Sequence, residues 1–185
     1  MSTVDTVTPR ALLQRWPTLL AVAFAGLCLT DTDGGSEYGI ILAVAATGYV
    51  TVAALGRPRL IWPVTGVLVA GVIAMRVAGA DPLLILTAVT ALAVLGGLAT
   101  GGLRRTPLHL LQAPVALLAL ALAATALRLS PEAGGALVAT ALLAHAAWDA
   151  LLWHRRTVLT RSFTEWCGVY DAVLGTGLLL LITLG

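Results

Sequence analysis

Four apolar runs in this sequence open with a capping residue followed by proline: Thr8-Pro9, Asp81-Pro82, Thr106-Pro107 and Ser130-Pro131. Proline suits the first helical position, where the N–H has no intrahelical partner, and the residue before it caps the next turn. Each run then stays apolar for about 20 residues, the length a helix needs to cross a bilayer. A chain punctuated in this way is a series of long apolar helices, and little else fits.

Composition agrees. Hydrophobic residues make up 59% and charged residues 11% of the 185 positions, and mean hydropathy is +0.96. A soluble domain carries about 25% charged residues. The pattern predicts an all-α polytopic membrane protein, a bundle of seven transmembrane helices forming one domain over 1–185. The expected spans are about 9–30, 38–55, 60–79, 82–102, 107–127, 131–153 and 163–184, and the first is read as an uncleaved span. Short connections predict that consecutive helices pack as antiparallel neighbours. Pro17, Pro63 and Pro114 fall within spans and are expected to kink them. The last span opens Ser162-Phe-Thr-Glu165, the pattern of a capping box.

All eleven basic residues are arginine. A retinal Schiff base requires a lysine amine, which this sequence does not contain, so that photoreceptor chemistry is excluded. With seven crossings, Arg10, Arg15, Arg57, Arg59, Arg104, Arg105, Arg155, Arg156 and Arg161 share one side. Arg76 and Arg128 fall on the other, with Asp31, Asp33, Glu37, Asp81 and Glu132. The positive-inside rule then places the N-terminus in the cytoplasm and the C-terminus outside the cytoplasmic membrane. A net charge of +2 gives no reason to expect a nucleic-acid partner; the lipid bilayer is the partner implied. Cys28 and Cys167 are expected at opposite faces and not to form a disulfide, which needs Cα atoms about 4.4 to 6.8 Å apart.

Against this apolar background, Asp149 and Asp171 stand out. An ionisable side chain inside a spanning helix is costly, and it marks a functional site unless an ion pair explains it. The surrounding segments read His145-Ala-Ala-Trp148-Asp149-Ala-Leu-Leu-Trp153-His154 and Ser162-Phe-Thr-Glu165-Trp166-Cys167-Gly-Val-Tyr170-Asp171. At about 100° per residue, His145, Asp149, Leu152 and Arg156 form one stripe, and Thr164, Cys167, Asp171 and Leu174 form another. A short loop makes the two helices a hairpin. A rise of about 1.5 Å per residue then sets His145 level with Asp171, and Asp149 level with the Cys167 turn. Gly168, Ala172 and Gly175 add small residues that allow close approach.

His145, Asp149 and Asp171 are therefore the candidate acid/base residues, and Trp148, Cys167 and Tyr170 the candidate substrate-binding residues. A histidine facing a buried carboxylate titrates with it as one unit and can pass a proton to an apolar substrate or activate water. The expected substrate is an amphiphilic, lipid-like molecule, bound by an embedded enzyme or ligand-binding protein. The alternative is a transporter or an accessory subunit of a membrane complex, with the cluster serving structure or proton coupling. Simpler readings accompany each residue: Asp149 paired with Arg156 or Arg161, Glu165 spent on the capping box, and the Trp and Tyr residues forming an interfacial belt. His145, Asp149, Cys167 and Asp171 are also a chemically adequate zinc ligand set, although no histidine-rich motif accompanies them. The sequence identifies no cofactor. Asp31-Thr-Asp33-Gly-Gly lacks the remaining ligands of a calcium loop, and the pairs Gly96-Gly97 and Gly101-Gly102 read as helix-packing sites.

Overall fold

The computed structural model describes residues 15–30 and 35–184. Thr8-Pro9, Arg10, Asp31 and Asp33 lie outside the described residues, as does the start of the first expected span. Among the described residues the chain is 87% helix without strands. Seven helices follow in order: α1 (Trp16–Leu29), α2 (Gly39–Leu55), α3 (Ile61–Val77), α4 (Pro82–Ala99), α5 (Pro107–Ala126), α6 (Pro131–Arg155) and α7 (Arg161–Leu184). Single 3-10 turns at Ser36–Tyr38, Pro58–Leu60 and Gly102–Arg104 tighten three of the connections. With the turns that lead into α2 and α3, six helices are long and apolar enough to cross a membrane, while α1 has 14 described residues.

The proline-marked starts behave as the local chemistry demands. Asp81 accepts from the Leu83 N–H at 2.9 Å, Thr106 from His109 N–H at 3.3 Å, and Ser130 from Ala133 N–H at 3.4 Å. These bonds satisfy donors that a helix start otherwise leaves open. Two of the expected kinks do not arise. Pro17 sits in the first turn of α1 and Pro63 in the first turn of α3, where no carbonyl four residues back requires a donor; among the described residues, Pro114 alone lies inside a helix. The capping box is also absent. Helix α7 starts at Arg161, two residues earlier than expected, the Thr160 carbonyl accepts from Phe163 and Thr164 N–H groups, and Glu165 turns to α1.

Helix α2 is the centre of the bundle: 78% of its most apolar 18-residue stretch is buried, against 11% to 39% for the five other long helices. It packs on α3, α4, α5 and α6. Thr47 meets Thr90 of α4 at 2.9 Å, and small residues bring the chains together at the lower end of the same pair. A Cβ at Gly97 would lie 2.7 Å from Ala54 Cβ, and one at Gly102 would lie 1.9 Å from Ala54 O. Gly97 and Gly102 are thus packing positions, whereas Gly96 and Gly101 have nothing within 4 Å and are not. Gly102→Ala is expected to cost about 1–3 kcal/mol through forced backbone movement, measurable as a lower melting temperature in detergent; Gly96→Ala serves as the silent control.

The tightest contact joins α6 to α7, and α1 packs along α7. This last pairing differs from the neighbour expectation. Thr18 touches Glu165 and Leu29 approaches Gly177, so α1 runs parallel to the seventh helix instead of pairing chiefly with α2. Alternating directions bring Arg15, Arg57, Arg59, Arg104, Arg105, Arg155, Arg156 and Arg161 to one end of the bundle, with Arg76, Arg128, Glu37, Asp81 and Glu132 at the other. Two cross-links tie the arginine-rich end. Arg105 donates to the Gly56 carbonyl at 3.1 Å, and the Arg161 guanidinium lies 3.9 Å above the Trp153 ring.

Candidate functional site

Asp149 lies on α6 a little under two turns before Arg155, and Cys167 on α7 the same distance after Arg161. Both helices turn their polar stripe inward: Leu152, Asp149 and His145 are buried on α6, and Thr164, Cys167, Asp171 and Leu174 on α7. Arg156, assigned to the same α6 stripe, is exposed and ends the helix in the left-handed conformation, φ 51°. Glycines make the approach possible. A Cβ at Gly168 would stand 3.1 Å from Asp149 Cβ, and one at Gly175 2.8 Å from Ala139 O.

His145 Nδ1 lies 2.7 Å from Asp171 Oδ2 and 3.7 Å from Asp149 Oδ2. One ring nitrogen thus serves two carboxylates. Cys167 Sγ approaches the same Asp171 Oδ2 at 3.9 Å. Relative exposure is 5% for His145, 0% for Asp149, 2% for Cys167 and 1% for Asp171, so solvent does little to screen these groups. One ligand-type atom from each of the four residues falls within 4.8 Å of the others. The geometry brings His145 opposite Asp171 and Asp149 beside the Cys167 turn, as helical rise requires. Asp149 does not pair with Arg156 or Arg161; among the described residues its ionic partner is His145.

Tyr49 of α2 completes the cluster and was not singled out from the sequence. Its hydroxyl donates to Asp149 Oδ1 at 2.6 Å, and its ring lies 5.2 Å from the His145 ring. The single aromatic residue of α2, two turns from the arginine-rich end, was the available signal. Tyr49→Phe is expected to cost about 1–3 kcal/mol by leaving a buried carboxylate oxygen unpaired, and unfolding in detergent measures it.

The three candidate substrate-binding residues separate into two cavities on either side of α2. Trp148 and His145 line one of about 190 Å³, between α2, α5 and α6, with Leu42, Val115, Ala119 and Ala141. Cys167 and Tyr170 line a cleft of about 160 Å³ between α2, α3 and α7, with Val44, Thr65, Val69 and Trp166. Both are walled chiefly by apolar side chains.

The other singled-out residues have local duties. Glu165 accepts from Thr18 Oγ1 at 2.7 Å and lies 3.8 Å from Arg15. Tyr170 stacks on Trp166, centroids 5.6 Å apart, and its hydroxyl meets Cys28 Sγ at 3.4 Å. No disulfide joins Cys28 and Cys167, and Leu29, next to Cys28, lies against Gly177, ten residues along α7 from Cys167. Trp166 and Tyr170 belong to a packed aromatic row with Trp62 and Phe163 and not to an exposed belt. His109 bonds its own cap, Nδ1 to Thr106 Oγ1 at 2.8 Å, and His154 lies against Trp153.

Chemically, the cluster is a hydrogen-bonded imidazole between two carboxylates, one of them held by a phenol. No protein-family model, no curated protein and no solved structure matches this chain. The class of molecule is therefore defined by the helices and the cluster: an apolar helical protein with a buried His/Asp/Cys/Asp group.

Proposed function

We propose that this chain is an integral, single-domain protein of the cytoplasmic membrane that binds an amphiphilic, lipid-like molecule and acts on it through the His145–Asp171 proton pair. Six long apolar helices support the membrane setting. Eight arginines at one end against two at the other, among the described residues, support a cytoplasmic position for the arginine-rich end. On this reading the N-terminus is cytoplasmic and the C-terminus outside, which a reporter fused after residue 185 tests directly.

One observation carries the functional reading. His145 forms part of the wall of an apolar cavity and is also the partner of both buried carboxylates. A molecule whose hydrocarbon part fills that cavity would bring its polar end to an imidazole already set to give or take a proton. His145 and Asp171 are the acid/base pair. Asp149, fixed by Tyr49, orients the imidazole and supplies a second acid. Trp148 walls the cavity, and Cys167 and Tyr170 wall the cleft beyond α2. Geometry within hydrogen-bonding reach is the first requirement for such a pair, and 2.7 Å meets it.

The experiment is lipid extraction and mass spectrometry of the purified protein, compared with Ala141→Phe, which fills the cavity, and His145→Asn, which puts a smaller polar amide in place of the imidazole and cannot carry the proton. The expected outcome is loss of a co-purifying amphiphile in the first variant and its retention, unconverted, in the second. Identical amphiphile profiles in all three proteins would overturn the reading. A second reading has its own support: the Tyr49–Asp149 and His145–Asp171 bonds tie α2, α6 and α7 together, as a structural cluster in a transporter or accessory subunit would. An Asp171→Asn variant that accumulates normally and converts the amphiphile as wild type does would favour it.

A further inference from the structure

The four clustered side chains come from two turns of α6 and two turns of α7, and each offers a metal-ligating atom. An imidazole, a thiol and two carboxylates are the donor types of zinc; magnesium and calcium take oxygen ligands alone. Mutual separations within 4.8 Å suit donors around a single ion after small side-chain adjustments. A second observation is independent of this spacing. Asp149 Oδ2 and Asp171 Oδ1 are fully buried carboxylate oxygens without a hydrogen-bond partner among the described residues. Asp149 Oδ2 also sits only 3.7 Å from His145 Nδ1, pointing into the group. Unpaired oxygens in so buried a place carry a substantial desolvation cost, which a cation would offset.

Charge strengthens the case. The groups facing the cluster are Tyr49 from α2, His145 and Asp149 from α6, and Cys167 and Asp171 from α7; no arginine among the described residues pairs with either carboxylate. A dication entering among two carboxylates, an imidazole and a thiol would displace the protons that these groups hold, so the site need not gain two units of charge in a dry interior. Coordinated thiols are deprotonated, and metal uptake with proton release is the general rule for such donor sets.

We propose that His145, Asp149, Cys167 and Asp171 form a closed four-ligand site for a zinc-class dication, and that its loading silences the proton pair. Four protein ligands leave no open position, which is the arrangement of structural zinc sites. The lone pair that coordinates the ion is the one His145 uses to exchange a proton with Asp171. A loaded chain therefore clamps α6 to α7 and lacks the acid/base pair. This regulation rests on the reading of the cluster as the working site, but its binding step can be tested without a substrate.

The test uses the full chain purified in detergent, stripped with a chelator and titrated with Zn²⁺ alone. The expected result is one ion per chain by elemental analysis, with protons released into a lightly buffered indicator solution as it loads. With Co²⁺, a thiolate-to-metal charge-transfer band should appear in wild type and vanish in Cys167→Ser, a change small enough to preserve the fold. Asp149→Asn should lose the ion. Absence of stoichiometric uptake, or equal uptake by Cys167→Ser and Asp149→Asn with no charge-transfer band in wild type, would overturn the proposal. If no ion loads yet His145→Asn still changes the amphiphile profile, the regulatory inference fails and the acid/base reading stands. If zinc loads and the profile never changes, the acid/base reading fails and the metal site stands.

Discussion

His145→Ala is expected to destabilise the protein by about 3–5 kcal/mol, the effect of removing one partner from a buried charge group. Asp149 and Asp171 are 0% and 1% exposed, and the imidazole is the one ionic partner either of them has among the described residues. Its removal leaves two carboxyl groups facing each other across the α6–α7 contact with no imidazole between them. The loss should appear as earlier unfolding of the α6–α7 hairpin, read by thermal or chemical denaturation in micelles and by faster amide exchange around Gly168. Replacing His145, Asp149 and Asp171 together by leucine should recover much of that stability, because a buried charge group exchanged for packed apolar side chains is often neutral or better. Recovery of stability without recovery of function would separate the two roles of the pair.

Asp171→Asn acts on the chemistry rather than the fold. The amide occupies nearly the same volume and can still bond His145 Nδ1, but it can no longer share a proton with it. General acid/base groups contribute about 10²–10⁴-fold to rate, and a loss of that size is expected in conversion of the co-purifying amphiphile. Binding to the cavity should be unchanged, since Asp171 is not among the residues that line it. Mass-spectrometric time courses on wild type and variant measure this difference. Equal conversion by both proteins would remove Asp171 from the acid/base role.

Much of this geometry follows from local rules. Polar-cap and proline starts mark the ends of α4, α5 and α6 because capping is decided within four residues. Helical rise and a short loop suffice to set His145 level with Asp171, since a hairpin converts sequence distance from the loop into depth. Tyr49 is different. Its contact with Asp149 joins residues a hundred positions apart, and nothing in either helix states that α2 passes behind the hairpin. Glu165 departs from its local pattern for a related reason. Ser162-x-x-Glu165 is a valid capping box taken alone, but α7 starts at Arg161 and α1 places Thr18 and Arg15 against the carboxylate. The separation of Trp148 from Cys167 and Tyr170 into two cavities likewise depends on where α2 lies. Short loops imply that consecutive helices touch, yet α1 finds its main partner in the last helix.

The most direct measurement is a double-mutant cycle on His145 and Asp171, using His145→Leu, Asp171→Leu and the pair, with unfolding free energies measured in the same detergent. Residues in direct contact couple by about 0.5–3 kcal/mol, and a buried 2.7 Å bond between an imidazole and a carboxylate places this pair toward the upper end. A coupling in that range is the predicted result; strictly additive effects would mean that the two side chains do not form one unit, and the proposed site would have no foundation.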